Sequence, residues 1–494
     1  MAKFLAFTEV IKVRNNIFFL LLTAGIIFSC KEPPLPLPQP GTGQDPVNED
    51  EQETTELTIK INRFIQYVMK DIYLWSSQLP PIDIRYEPDP KDYFDKLLFK
   101  EDKWSYITDD IIALEKSFNG VETTFGYSLA FGRFIDTQDI FAVVEYVYPG
   151  TPAANAGLKR GDLIFLMNNA PVNMNNYLDL LYARTLAVTF GKYSEDLGIH
   201  DIKDVSMEAR ELNLDPVLIS DVIEHEGHKI GYLFYTQYIQ KYNASLDSAF
   251  KLFLDEDISA LVIDLRYNPG GVVTAAQYLC SSVAPLSVVN GEKTLVTYQW
   301  NDKYQYIWKF TNNRPQVEEK FMATTTYQLG LNKIYFLTGD GTASASELTI
   351  TGLRPYMQVI TVGETTYGKY TGSWTIKPED YYRDTTYYTD FANWGLQPII
   401  LRFANSLGVT DFKDGFYPDI PAEDVLLGAF PLGDKDEPLL KKAIEDISGT
   451  PVLARKKAVI KAPYAIFDRG FSRFDANKRE LLFDDIPVQH LDQK

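Results

Sequence analysis

The apolar positions of this chain change their spacing several times, and each change marks a different kind of structure. Behind Lys3, Lys12 and Arg14 comes an unbroken apolar run, IFFLLLTAGIIF, of about a dozen residues. It is short for a membrane span and suits the core of a signal peptide. In PPLPLPQPGTGQDPVNEDEQETTE the apolar period is lost, and Pro followed by acidic residues predicts an extended, solvated tether. From Leu57, LTIKINRFIQYVMKDIYLW brings apolar residues back at helical spacing and predicts an amphipathic helix, with DYFDKLLF as a second. DKWSYITDD reads as a capped connection, its Trp104 an anchor in a domain seam.

From about Phe118 the pattern becomes that of strands, TTFGYSLAFG and FAVVEYVY, separated by turns. Between about Pro216 and Gly449 the runs KIGYLFYTQYI, ISALVIDLRYN, NKIYFLTGD and MQVITVGE alternate with helix-length segments such as SLDSAFKLFLDE and GVVTAAQYLCSSV. That alternation predicts an α/β architecture around a buried, largely parallel sheet. Two of the runs end in unusual loops, DLRYNPGG (264–271) and GDGTASASE (339–347). Ligand chemistry in open α/β sheets gathers at such strand ends and at the helix N-termini that follow them.

Composition then narrows the classes. The 494 residues carry a net charge of −19 and no Lys/Arg-rich run, which excludes a surface built to neutralise nucleic-acid phosphates. Of the two cysteines, Cys280 lies in the apolar AAQYLCSS and reads as core. Cys30 closes IFSC, which resembles a bacterial lipobox, although Phe28 departs from the usual small or aliphatic choice. The resemblance implies a signal peptide over 1–29, lipidation of Cys30, a tether over 30–56, and a place on the bacterial cell envelope facing the periplasm or the surface. The alternative is an ordinary secretory signal or an uncleaved anchor.

Candidate chemistry begins with GETTYGKYTG, residues 363–372. Gly363, Gly368 and Lys369 fit a phosphate-binding loop, but Tyr370 stands where a Ser or Thr must hold magnesium, and no helical period follows. Nucleotide is therefore not expected, and neither is a metal or other cofactor. The four histidines occupy no promising phrase; His225 and His228, in VIEHEGHKIGYL, read as a polar turn. A serine nucleophile would need another base, and a lysine serves if burial disfavours its charged form. Val362, Tyr367 and Tyr370 surround Lys369 in sequence and make such burial plausible.

TPAANAGLKRGDLIFLMNN resembles a PDZ domain, with Pro152 in a first helical turn, Gly157 at a C-cap and Gly161-Asp162 turning into a strand. The resemblance implies a carboxylate-binding loop at Phe125, Gly126, Tyr127 and Ser128, where backbone N–H groups would receive a peptide C-terminus beside an apolar groove. Only Gly126 remains of the usual double glycine.

DLRYNPGG, TASASE and GETTYGK, in this order behind a PDZ segment and before GFYPDI, resemble the C-terminal processing, or tail-specific, serine peptidases, lipoprotein type. The resemblance covers about residues 57–445 and implies a multidomain chain. Its parts would be a helical N-terminal domain (57–116), a PDZ domain (117–212), an α/β core of the crotonase or ClpP type (213–449) and a tail (450–494) without assignable role. It implies Ser344 as nucleophile and Lys369, 25 residues on, as base, with Thr342 a mild departure from the usual serine. Ala345 N–H at the start of a helix and Gly270 and Gly271 of NPGG are the expected oxyanion donors. The polar residues that orient the lysine in many relatives are replaced by Ser373 and Pro355, so Thr366, Glu347 and Ser373 are the candidates for that role. Ser344 and Glu347 also spell a capping box, S-x-x-E. Asp264 and Arg266 read as a structural pair. The implied partners are protein or peptide substrates with free C-termini and, through the lipid, a membrane. A catalytically silent peptide-binding lipoprotein is the other reading.

Overall fold

The computed structural model describes residues 54–194, 196–453, 464–470 and the backbone of 481–482. The expected signal peptide, Cys30 and nearly all of the tether lie outside the described residues. Among the described residues no helix is long and apolar enough to cross a membrane.

The first predicted helix runs from Glu56 to Asp71, opened by Thr55, whose hydroxyl accepts from Thr58 N–H. Its buried stripe of Ile61, Phe64, Ile65, Val68 and Met69 packs into the same apolar cluster as Phe250, Leu279 and Trp374 of the α/β core. Each such fully buried side chain contributes about 1.5–3 kcal/mol, so this helical domain completes the core instead of standing apart from it. Pro90–Leu97 is the second helix. The expected connection around Trp104 contains a short strand, Tyr106–Thr108, paired antiparallel with Gly395–Gln397. Trp104 is buried and meets the Tyr370 ring edge-on at 5.9 Å, the residue directly after Lys369.

The PDZ segment forms a sheet of Tyr127–Phe134, Ile140–Val147, Leu163–Met167, Thr185–Ser194 and Gly198–Glu208 in that spatial order. Pro152 starts the short helix Pro152–Asn155 behind the cap Thr151, and Gly157 and Gly161 take φ of +82°. The core holds Val217–His225, His228–Tyr235, Ala260–Asp264, Lys333–Thr338, Gln358–Gly363 and Ile420–Pro421 as neighbouring strands, parallel except for the first pair. His225 and His228 flank the hairpin turn of that first pair. The helix Val273–Val283 packs against the helix Ala345–Leu353. Cys280 is buried in the former, and burial pushes its thiol up to about 12, as befits an inert core position. A second sheet takes in Gly271–Val272, Thr371–Ser373, Ile399–Asn405 and Thr294–Trp300.

The tail, for which the sequence offered no role, contributes to two sheets. Tyr464–Arg469 is the edge strand of the PDZ sheet, and Leu481–Leu482 lies between Gly271–Val272 and Thr371–Ser373.

Candidate active site

The strand Lys333–Thr338 delivers the chain into the loop that ends at Ser344, the residue before the helix Ala345–Leu353. Ser344 has φ 60° and ψ −110°, a conformation that residues with a Cβ adopt rarely and at a cost of about 1–3 kcal/mol. Its surroundings hold it there. Ser344 N–H donates to Glu347 Oε2 at 2.9 Å, Leu348 N–H to Ser344 O at 2.8 Å, and Ala343 N–H to Asn268 O at 3.1 Å. The capping box is therefore half made, because the buried Ser344 Oγ itself has no hydrogen-bond partner. Ala345 is the first residue of the helix, so its N–H has no partner within that helix.

Glu347 is fully buried and ties the two halves of the site together. Its Oε1 accepts from Thr366 Oγ1 at 2.6 Å and from Gly368 N–H at 2.7 Å. Its Oε2 accepts from Ser344 N–H and, at 2.8 Å, from Lys369 N–H. Two backbone nitrogens on one oxygen lie within about 6 Å of each other, so residues 344 and 369 are neighbours in space. Burial pushes the Glu347 carboxyl up to about 7, against the four donors that favour its ionised form. Thr366 is engaged twice, its hydroxyl also accepting from Phe416 N–H at 2.7 Å. Both residues thus hold backbone, and neither is placed by these bonds on the lysine amine.

Lys369 is 1 % exposed, and Ser373 four residues on is equally buried. The turn into Lys369 requires glycine: Gly368 has φ +94°, and a Cβ there would meet Lys413 O at 2.3 Å. A strand, Thr371–Ser373, follows in place of the helix of a phosphate loop. The Gly368 and Lys369 N–H groups already face a carboxylate.

The NPGG loop faces this pair. Asn268 Nδ2 donates to Tyr235 O at 2.9 Å, and Gly270 N–H donates to Asn268 Oδ1 at 3.0 Å. Of the two glycines expected as oxyanion donors, Gly270 is thus engaged within its own loop, while Gly271 pairs with Leu481 in the second sheet. Gly271 has φ +136°, and a Cβ would stand 2.2 Å from Tyr238 O. The start of the loop is fixed by charge. Arg266 donates from Nε to Asp264 Oδ1 at 2.9 Å, from Nη1 to Asp424 Oδ1 at 3.0 Å and Glu437 Oε1 at 2.6 Å, all of them buried. Arg160 of the PDZ turn reaches the same Asp424 Oδ1 at 2.7 Å and Tyr267 OH at 2.6 Å. Burial alone would raise Asp424, but Arg160 and Arg266 hold it well below the usual carboxylate range. From NPGG the sequence singled out only the two glycines, not Asn268; Asp424, Glu437 and Arg160 gave no local signal, since their partners are distant in sequence.

The expected carboxylate loop of the PDZ domain is buried and largely engaged. Gly126 N–H donates to Thr124 Oγ1 at 3.2 Å, Phe125 O accepts from Ala153 N–H, and Tyr127 OH donates to Leu180 O at 2.7 Å. Ser128 Oγ donates to Glu145 Oε2 at 2.7 Å. The Glu145 carboxylate beside this loop is in turn paired with Arg469.

Among the described residues no group of three or more His, Cys, Asp or Glu side chains is arranged to hold a metal. Residues 229–421 match the profile of peptidase family S41, residues 60–106 that of the Peptidase S41 N-terminal domain, and residues 143–189 that of a PDZ domain. The chain carries a peptidase S41 domain. A protein of Bacteroides fragilis NCTC 9343 assigned to the S41 proteases superposes with a TM-score of 0.64 at 26% identity, over 78% of this chain and 97% of that one. The carboxyl-terminal-processing protease of Synechocystis is 25% identical over 50% of this chain and 54% of its own length. Carboxyl-terminal-processing peptidase 3 of Arabidopsis thaliana is 26% identical over 48% and 45%. The chain spans about half the length of these relatives. Both the loop that carries Ser344 and the loop that carries Lys369 fall inside the S41 match.

Proposed function

We propose that this chain, through its S41 domain, is a serine endopeptidase in which Ser344 and Lys369 act as nucleophile and base. The supporting observation is the single carboxylate of Glu347, which holds the backbone of both residues and leaves Ser344 Oγ buried without a partner. Lys369 is buried, and as base it takes the Ser344 proton in its neutral form, the form that an apolar environment favours for a lysine. The oxygen attacks the scissile carbonyl, and Ala345 N–H and Gly271 N–H receive the oxyanion. The lysine returns its proton to the departing amine, and water, activated by the same amine, releases the acyl group. The hydroxyl–amine hydrogen bond is unmade in this structure and must tighten when substrate enters.

The substrates are extended segments of proteins, cut toward the C-terminus as the relatives' names indicate. A PDZ sheet edge can hold such a segment as an added strand. The N-terminal pattern supports attachment to the cell envelope through a lipid on Cys30. The test is digestion of an unfolded protein by the wild type, Ser344→Ala and Lys369→Arg. Guanidinium cannot give up its proton, so only the wild type should cut. Equal cleavage by Ser344→Ala would overturn the assignment.

A further inference from the structure

Tyr464–Arg469 pairs antiparallel with Tyr127–Phe134 along the edge that leads out of the PDZ loop, from Tyr464 opposite Phe134 to Arg469 opposite Ala130. Gly470 N–H continues the ladder to Leu129 O at 2.8 Å. A peptide added to this edge would run in the same direction. The side chains are fitted to the site. Ile466 lies against Gly132, where a Cβ would come within 3.1 Å of it, and the Phe467 ring meets Tyr177 at 5.5 Å while Asp468 accepts from Tyr177 OH at 2.9 Å. Arg469 pairs with the buried Glu145 and, through Nε at 2.9 Å, with Asp340 of the loop before Ser344. The strand ends at Arg469, and a cavity of about 70 Å³ beside the loop is lined by Gly126, Tyr127, Ser128, Pro269 and Gly470, so Gly470 borders the place expected for a terminal carboxylate.

Farther along, the backbone of Leu481–Leu482 enters the second sheet. It pairs parallel with Gly271–Val272 on one side and with Ser373 on the other. One neighbour holds the proposed oxyanion glycine, and the other follows Lys369 by four residues. An extended substrate would bind in that slot, between the NPGG strand and the lysine strand.

We propose that the C-terminal segment of this chain is an intramolecular ligand of its own PDZ edge and catalytic groove, competing with substrate proteins for both. The ligand class of the PDZ edge is accordingly an internal strand with a basic residue facing Glu145 and Asp340, not a free carboxylate. The competition rests on the peptidase reading above; the occupancy of the PDZ edge does not.

The experiment keeps the full chain for folding. A recognition sequence for a site-specific protease is inserted after Leu453, which is 90% exposed, and the folded protein is cut there and freed of its tail by gel filtration. A tethered ligand acts at millimolar effective concentration, so its release should raise kcat/KM on an unfolded substrate on the order of tenfold or more, mainly through KM. A synthetic peptide of residues 461–485 should restore the inhibition. In a parallel arm without catalysis, cut Ser344→Ala protein should bind a fluorescent 464–470 peptide that uncut protein does not. The Arg469→Glu peptide should bind at least about tenfold more weakly, because it sets a third carboxylate beside two. Equal peptide binding by cut and uncut protein would overturn the proposal, as would unchanged KM after release. Peptide binding as expected with no cleavage of any substrate would sink the peptidase reading and leave the occupancy standing.

Discussion

Glu347→Gln separates what the central carboxylate does for stability from what it does for the site. Burial raises this group from 4.5 to about 7. Between those values the folded protein keeps a proton that the unfolded chain has lost. The stabilisation from that proton is fully present below pH 4.5 and is gone once the pH has risen past 7. At 1.36 kcal/mol per pH unit, the change amounts to about 3 kcal/mol. Glutamine has the same shape and no titration, so the stability of the variant relative to wild type should improve by about 3 kcal/mol between pH 4.5 and 8. Glu319, also raised to about 7 by burial, is present in both proteins and cancels in the difference. Activity should move the other way. The amide can accept at only one of its two atoms, leaving at least one of the four donors unmatched and loosening the loop that carries Lys369. A displacement of that kind costs kcat on the order of ten- to a hundredfold. Urea unfolding followed by tryptophan fluorescence at several pH values, beside steady-state cleavage at pH 8, makes both measurements. If the two stability curves run parallel from pH 4.5 to 8, Glu347 does not titrate as argued.

Gly271→Ala should abolish cleavage while leaving the circular dichroism unchanged, since the new methyl would collide with Tyr238 O at a 2.2 Å separation and push the NPGG strand off its place; activity within threefold of wild type would remove Gly271 from the site. Arg266→Met strands Asp264 and Glu437 as buried carboxylates and should cost about 3–5 kcal/mol in urea unfolding, with a loss below 1 kcal/mol showing that the cluster is not structural.

The parts of this protein legible in its sequence are those whose signal is local. The apolar runs ending in DLRYNPGG and GDGTASASE are strands because buried parallel sheets need unbroken β-branched and aromatic segments, and the glycines of the loops report backbone angles that only glycine takes readily. Ser344 and Lys369 are proposed from the spacing of short phrases that resemble a family. The tasks of Glu347 and Thr366 were not legible, because hydrogen-bonding partners 19 to 22 residues apart leave no periodic trace: a capping box and an orienting pair are spelled alike. Asp424 and Glu437 were missed for the same reason, their shared arginine lying 158 and 171 residues away. The tail was opaque because FDRGF has no strand period of its own. Its conformation comes from the sheet edge it completes, and tertiary pairing of this kind overrides local propensity.

The likeness to a phosphate loop and the geometry of the proposed site have one physical origin. The turn at Gly368 presents the successive N–H groups of Gly368 and Lys369, and such a nest attracts an anion. In a nucleotide-binding protein the anion is a phosphate, and a helix follows to add its dipole. Here the anion is the side chain of Glu347, one turn into the helix that begins after Ser344, and it accepts from both Gly368 and Lys369. The same oxygen that accepts from Lys369 accepts from Ser344. Two loops from different strands are thereby joined through one atom, so neither residue's backbone can shift without breaking a charge-assisted bond to the other's anchor. The strain stored at Ser344 persists on that account, and the shape of the motif follows from electrostatics whichever anion fills it.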